Sequence, residues 1–205
     1  QAHYLCEQAN ALVNQKRDQE AKVLLEKAID ISPKSVRPHI DLAAVTERLG
    51  DSAKAYEILS SLIVQDSHIT PIFAHQFVRL AQACGHVDQA LALLLASYKK
   101  KPSLDVVDAI VQLDAFSTTD TSARDWYVKH LERAPSLVAA AKWISGEKLE
   151  HEQFHPQVQR ALDHAVTPLK RYRCTNCGFE ATQHHWNCPG CQSWDSYPAL
   201  RIEEL

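Results

Sequence analysis

Four of the six cysteines fall close together as Cys174-x2-Cys177-x10-Cys188-x2-Cys191. Each Cys-x2-Cys hook bends a tight turn around one ion. Both sulfurs then reach the ion while backbone N–H groups point at them. Four thiolates complete a tetrahedral shell with no open position for water, which is a structural zinc arrangement. Cys174, Cys177, Cys188 and Cys191 are therefore the expected metal ligands. Gly178 follows the first hook and supplies backbone freedom there. The second hook holds Gly190, with Gln192 after it. The spacer predicts a short hairpin between the hooks. Tyr172, Phe179, Trp186 and Trp194 are expected to pack against so small a module.

The same four sulfurs accept iron, and the hooks look rubredoxin-like, so one-electron transfer is the rival chemistry. The spacer is shorter than in electron-carrying rubredoxins, and no flavin or nicotinamide motif accompanies it. A second metal string is present. His151-Glu152-Gln153-Phe154-His155 spells the zinc peptidase signature. That chemistry needs both histidines on one turn of a continuous helix. Pro156 follows at once, disfavours helical φ/ψ at His155 and reads as the start of a new helix. The string is read as a loop-to-helix junction. His184 and His185 lie between the hooks, but four cysteines already fill the shell. There is no Gly-rich phosphate loop, Gly-x-Ser-x-Gly or convincing catalytic cysteine, so the chain is not read as an enzyme.

The elements that hold this module come in copies. Stretches 16–33, 50–67 and 85–102 align at spacings of 34 and 35 residues. Ala21, Ala55 and Ala90 match, then Leu25, Leu59 and Leu94, then Ala28, Leu62 and Ser97. Pro33, Ser67 and Pro102 close the copies. A fainter fourth runs through Ala123, Tyr127, His130 and Pro135. A period near 34 with this pattern resembles the tetratricopeptide repeat, two antiparallel helices per unit. Gly50 and Gly85 sit at the turn between the helices, where positive φ is expected. Asp51 and Asp88 suit the start of the second helix. No unit can bury its apolar face alone, so the units stack. The fold expected is an all-α solenoid of tetratricopeptide-like helix pairs with a small C-terminal rubredoxin-like zinc-ribbon module.

Repeats occupy 1–135 (about 2–35, 36–69, 71–103 and 104–136), a capping helix pair 136–168, and the metal module 169–205. The last capping helix starts at Pro156 and carries Val158, Ala161, Leu162 and Ala165 on one face. The linker 167–171 is too short for a swinging tail, so the module is expected to dock on the last helices. First helices line the concave face of such a stack, where ligands of this repeat family usually lie. The aligned partner-binding candidates are His3, Asn10, Asn14, Arg37, Ile40, His75, Arg79, Asp105, Asp108 and Gln112.

The 205 residues are 45% hydrophobic and 23% charged, ordinary values for a globular chain. Net charge is −3, so no nucleic-acid partner is indicated. The apolar run Ala90 to Tyr98 is far too short for a membrane span, and no secretory signal is visible. The chain starts at Gln1 and has no Met, which suggests a processed chain or a fragment. Cysteines concentrated in hooks argue for a reducing compartment, with Cys6 and Cys84 as packing residues.

Repeats running into Tyr172-Arg173-Cys174-Thr-Asn-Cys177-Gly178-Phe179, then Trp186-Asn-Cys188-Pro189-Gly-Cys191, closely resemble the lipopolysaccharide assembly protein B family (LapB). The resemblance covers the later repeats and the tail. It implies an adaptor on the cytoplasmic face of the bacterial inner membrane, held there by an N-terminal anchor that this soluble stretch lacks. Such adaptors promote degradation of the lipid A committing deacetylase (LpxC) by a membrane-anchored AAA+ protease (FtsH). An inner-membrane lipopolysaccharide sensor antagonises them. The cofactor implied is zinc, with iron compatible. An electron-transfer protein on a docking scaffold is the alternative.

Overall fold

The computed structural model describes residues 1–114, 123–146 and 152–205. His151 lies outside the described residues. Helices dominate: α1 (Ala2–Asn14), α2 (Asp18–Ile31), α3 (Val36–Arg48), α4 (Ser52–Gln65), α5 (Thr70–Cys84), α6 (Val87–Lys100), α7 (Leu104–Asp114), α8 (Ala123–Leu131), α9 (Leu137–Ser145) and α10 (His155–Val166). Two short strands follow, β1 (Tyr172–Arg173) and β2 (Glu180–Ala181). The chain divides into two compact units, 1–97 and 98–205.

In the first unit the repeat pattern becomes packing. Ala21, Leu25 and Ala28 of α2 are fully buried, as are Ala55 and Leu59 of α4, with Leu62 nearly so. Ala90, Leu94 and Ser97 on α6 are buried in the same way. Alanine at the crossing lets the paired helices approach, and leucine fills the space beyond. One cluster joins α1, α2 and α3 through Ala2, Cys6, Ala9, Ala21, Leu25, Ala28, Leu42 and Val45. A helix pair thus buries its second face against the next pair.

The turns show why glycine recurs. Gly50 and Gly85 take φ of 91° and 71°, and Lys16 takes the equivalent place at 60°. The next N–H reaches back to a carbonyl of the last helical turn in each copy. Arg17 donates to Leu12 at 2.9 Å, Asp51 to Thr46 at 3.1 Å and His86 to Ala81 at 2.9 Å. These bonds satisfy carbonyls that the helix leaves unpaired. Asp51 Oδ1 accepts from the N–H of Lys54 at 2.9 Å and caps α4. Ser67 stands where its sister copies have proline. Its carbonyl accepts from Ser97 Oγ at 3.2 Å, and the same hydroxyl lies 3.0 Å from Thr70 Oγ1.

In the second unit α7 is buried along most of its length, charged residues included. Helix α10 differs from expectation. Val158, Ala161 and Ala165 of the anticipated apolar face are exposed. The half-buried stripe is His155, Gln159, Leu162 and Val166. That stripe is also spaced at helical intervals but turned about a quarter way round the helix. The cause is at its start. The helix begins at His155, one residue before Pro156, and His155 Nε2 lies 2.9 Å from the Ile144 carbonyl of α9. That contact sets the rotation and leaves this nitrogen engaged with backbone.

Candidate metal centre

Each cysteine hook is the tip of its own small hairpin. Strands β1 and β2 pair antiparallel with Tyr172 opposite Ala181, which encloses the first hook. An isolated bridge between Asn187 and Trp194 encloses the second. The expected hairpin between the hooks is therefore replaced by one hairpin around each. The reason is in the backbone. Cys174 N–H donates to Phe179 at 2.9 Å and Gly178 N–H to Cys174 at 2.9 Å. Cys188 N–H donates to Ser193 at 2.9 Å and Gln192 N–H to Cys188 at 2.8 Å. The two knuckles repeat one geometry. Gly178 has φ of 77° and Gln192 takes the matching place at 60°. Gly190 serves a different need, because a Cβ there would come within 3.1 Å of the Phe179 ring.

The four sulfurs converge. All lie within 4.8 Å of one another, with Cys174 Sγ 3.8 Å from Cys191 Sγ and Cys177 Sγ 3.7 Å from Cys188 Sγ. Metal–sulfur bonds of about 2.3 Å in a tetrahedron separate the sulfurs by about 3.8 Å. The cage therefore has the dimensions of a thiolate-bound zinc, and iron takes the same shape. A bound ion supplies the positive charge that lets four thiolates sit together.

The surroundings favour the thiolate at Cys174 and Cys188 and disfavour it at Cys177, where the N–H of Phe179 is outweighed by burial and by the sulfurs of Cys191, Cys174 and Cys188. The Ser196 hydroxyl, 3.3 Å away, pulls the Cys174 thiol below its ordinary range, assisted by the N–H groups of Cys177 and Asn176. Burial opposes ionisation at Cys188, but N–H groups of Cys191 and Gly190 and the Tyr197 hydroxyl outweigh it. Cys174 and Cys188 are buried, whereas Cys177 and Cys191 are exposed.

The module's core is Tyr172, Cys174, Ala181, Cys188 and Tyr197. Phe179 and Trp194, expected inside, are 44% and 43% exposed. Tyr197 takes the inner place, its hydroxyl donating to the Phe179 carbonyl at 3.3 Å and lying 3.7 Å from Cys188 Sγ. His184 packs edge-on against Tyr172 and Trp186, with Nε2 3.2 Å from the Tyr197 carbonyl. It is a packing residue, not a ligand. Neither Tyr197 nor Ser196 stands out by spacing. The only sequence signal for them is their place just after the second hook.

The module is fastened to the last helices. Asp105 of α7 is fully buried and meets Arg171 Nη2 at 2.6 Å and Arg201 Nη2 at 2.7 Å. Asp108, one turn on, accepts from Tyr127 at 3.0 Å and pairs with Lys142. Glu204 Oε1 accepts from the Leu104 N–H at 2.6 Å, and Ser136 Oγ donates to Glu203 at 2.8 Å. Arg171 is itself tied into the module, donating its N–H to Ala181 and accepting from Ile202, at 3.0 and 2.9 Å.

The concave-face candidates therefore separate into groups. Asn10, Asn14, His75, Arg79 and Gln112 are exposed, and His3 and Ile40 half-buried. Arg37, Asp105 and Asp108 are buried in ion pairs of the chain itself, Arg37 with Glu7 at 2.7 Å. Their charges are spent internally, so they do not lie open to solvent.

Residues 172–197 match the family described as Rubredoxin metal binding domain. Lipopolysaccharide assembly protein B of Escherichia coli (strain K12) is 23% identical over 98% of this chain and 53% of its own length. The protein of the same name from Haemophilus influenzae is 23% identical over 90% of this chain and 48% of its own. The chain thus spans about half the length of the curated relatives it matches. Among solved structures, Pseudomonas aeruginosa pilF aligns with a TM-score of 0.55 at 17% identity, covering 80% of this chain and 75% of that one. A Podosopora anserina putative kinesin light chain with TPR-like repeats aligns at 0.52 and 17%, covering 80% and 95%. These two likenesses carry the repeat fold. Over nearly its whole length the chain is similar to lipopolysaccharide assembly protein B, and its residues 172–197 form a rubredoxin-type metal binding domain.

Proposed function

We propose that the chain is a non-catalytic adaptor in lipopolysaccharide assembly. The observation that carries this reading is the likeness to lipopolysaccharide assembly protein B across 98% of the chain. The architecture supports it. Stacked helix pairs supply protein-binding surface, and four cysteines close a metal shell without a position for substrate.

In the finer reading the adaptor works at the cytoplasmic face of the bacterial inner membrane. It brings the lipid A committing deacetylase to a membrane-anchored AAA+ protease, and an inner-membrane lipopolysaccharide sensor restrains it. Holding two partners on one body makes their encounter intramolecular, with effective concentrations in the mM range for short links. The metal module then acts as a brace that keeps the last helices in place.

Chemical crosslinking in cells followed by purification of the chain tests this. The adaptor reading requires the deacetylase and the protease among the crosslinked proteins, and their loss when Cys177→Ser removes a metal ligand. Recovery of neither from the unaltered chain rejects it. The exposed ligands Cys177 and Cys191 favour one second reading, an electron carrier, since exposed ligands shorten the path to a redox partner. A red protein with reversible one-electron reduction supports that reading. A colourless protein with one zinc per chain supports the brace.

A further inference from the structure

Residues 201–204 lie against the helices as a ligand lies in a receptor. Each charged side chain has its own partner: Arg201 has Asp105, Glu203 has the Ser136 hydroxyl, and Glu204 has the Leu104 N–H at the start of α7. Asp105 is fully buried and both arginines reach its Oδ1, while Oδ2 is buried with no hydrogen-bond partner among the described residues. The acid's capacity for donors is therefore not filled. The apolar position is also underfilled. Ile202 borders a cavity of about 230 Å³, shared with Val138, Val166 and Leu169. That space admits a larger side chain than isoleucine beside the same arginine clamp.

We propose that this surface is a peptide-binding site for segments of the form Arg-apolar-Glu-Glu, filled in cis by residues 201–204. The partner is a protein segment with this pattern and a bulkier apolar residue at the second position. It displaces the chain's own strap and takes over the pairing with Asp105. Specificity rests on the guanidinium, since a planar two-pronged donor suits a buried carboxylate better than a lysine does. The proposal stands independently of the adaptor reading.

The probes are fluorescein-labelled SYPALRIEEL, which copies residues 196–205, and the same peptide carrying Ile202→Trp. Each is titrated by anisotropy against the full chain and against the full chain carrying Arg201→Ala. The Trp peptide is expected to bind the unaltered chain saturably. It is expected to bind the Arg201→Ala chain at least about tenfold more tightly, because the competing strap is weakened. Replacing the peptide's own arginine by alanine weakens binding at least about tenfold. Adding Asp105→Asn to the Arg201→Ala chain abolishes it. Three results overturn the proposal. One is no saturable binding to an Arg201→Ala chain that keeps its helical circular dichroism. Another is loss of that helicity, which makes the strap part of the fold and not an exchangeable ligand. The third is binding indifferent to the peptide's arginine.

Discussion

Arg201 meets Asp105 across 96 positions of sequence, with Nη2 at 2.7 Å and Nε at 3.1 Å from one carboxylate oxygen. The acid is fully buried, so its charge relies on its partners. Arg201→Ala leaves Arg171 as the remaining guanidinium and is expected to cost about 2 kcal/mol. Arg201→Lys recovers less than half of that, because an ammonium cannot aim two donors of one rigid plane at that oxygen. Urea denaturation followed by helical circular dichroism measures both. Equal midpoints for the unaltered and Arg201→Ala chains contradict the role given to this pair.

Metal binding is also folding energy in a module whose core is five residues. Cys177→Ser breaks the cage without touching the buried sulfurs Cys174 and Cys188. It is expected to abolish stoichiometric metal and to disorder 172–197, shifting the fluorescence of Trp186 and Trp194. The helices of residues 1–97 form a separate compact unit and keep their circular dichroism. Elemental analysis that still finds one metal per chain contradicts the four-cysteine shell.

What could be read from the sequence was local. Ala21, Leu25 and Ala28 declare their helix by spacing alone, and the same spacing recurs in each copy. Cys174 and Cys177 declare a ligand pair because a turn of fixed length brings them together. Asp105 and Arg201 share no such relation; the folded chain brings them together, and no periodicity records it. Asp105 and Asp108 read as partner-binding acids of the concave face, yet both are buried by the strap and by Lys142. Phe179 and Trp194 read as core for their size, while Tyr197 took that place because its hydroxyl could find a carbonyl and a sulfur. The rotation of α10 was hidden likewise, since His155 and Gln159 are polar residues on its packed side.

The two knuckles differ at one backbone position, and the difference is open to test. Gly178 adopts φ of 77° without strain, whereas Gln192 adopts 60° with a side chain attached. A left-handed residue with a Cβ costs about 1 kcal/mol, part of which glycine returns through its greater unfolded freedom. Gln192→Gly is thus expected to stabilise the metal-loaded chain by about 0.5 kcal/mol. Lys16→Gly is expected to act in the same direction at the α1–α2 turn, where φ is 60°. Thermal midpoints of the two single variants and the double variant check this. A fall in either single variant shows that the side chain contributes more than its backbone costs.

His130 sets a pH dependence of definite sign. It is fully buried, with Nδ1 3.2 Å from the Tyr98 hydroxyl and Nε2 3.5 Å from Glu204 Oε1. Burial holds its pKa below the ordinary 6.5, although Asp108 and Glu203 pull upward; Arg133 and Arg201 push with the burial. Below pH 6.5 the unfolded chain takes up a proton on this imidazole that the folded chain refuses, so folding weakens as pH falls. Glu204 acts oppositely. Burial raises its pKa above 4.5, so the folded carboxyl holds its proton longer, and stability is lost as pH rises through that range. The two effects partly cancel between 4.5 and 6.5 in the unaltered chain. Comparing variants isolates the imidazole. His130→Gln removes a group that favours folding at pH 7.5 relative to pH 5, so its destabilising effect should shrink at pH 5. Urea titrations of both chains at the two pH values measure that difference. A cost that is larger at pH 5 shows that His130 is protonated in the folded state and paired with Glu204, and an equal cost shows that burial leaves its proton affinity unchanged.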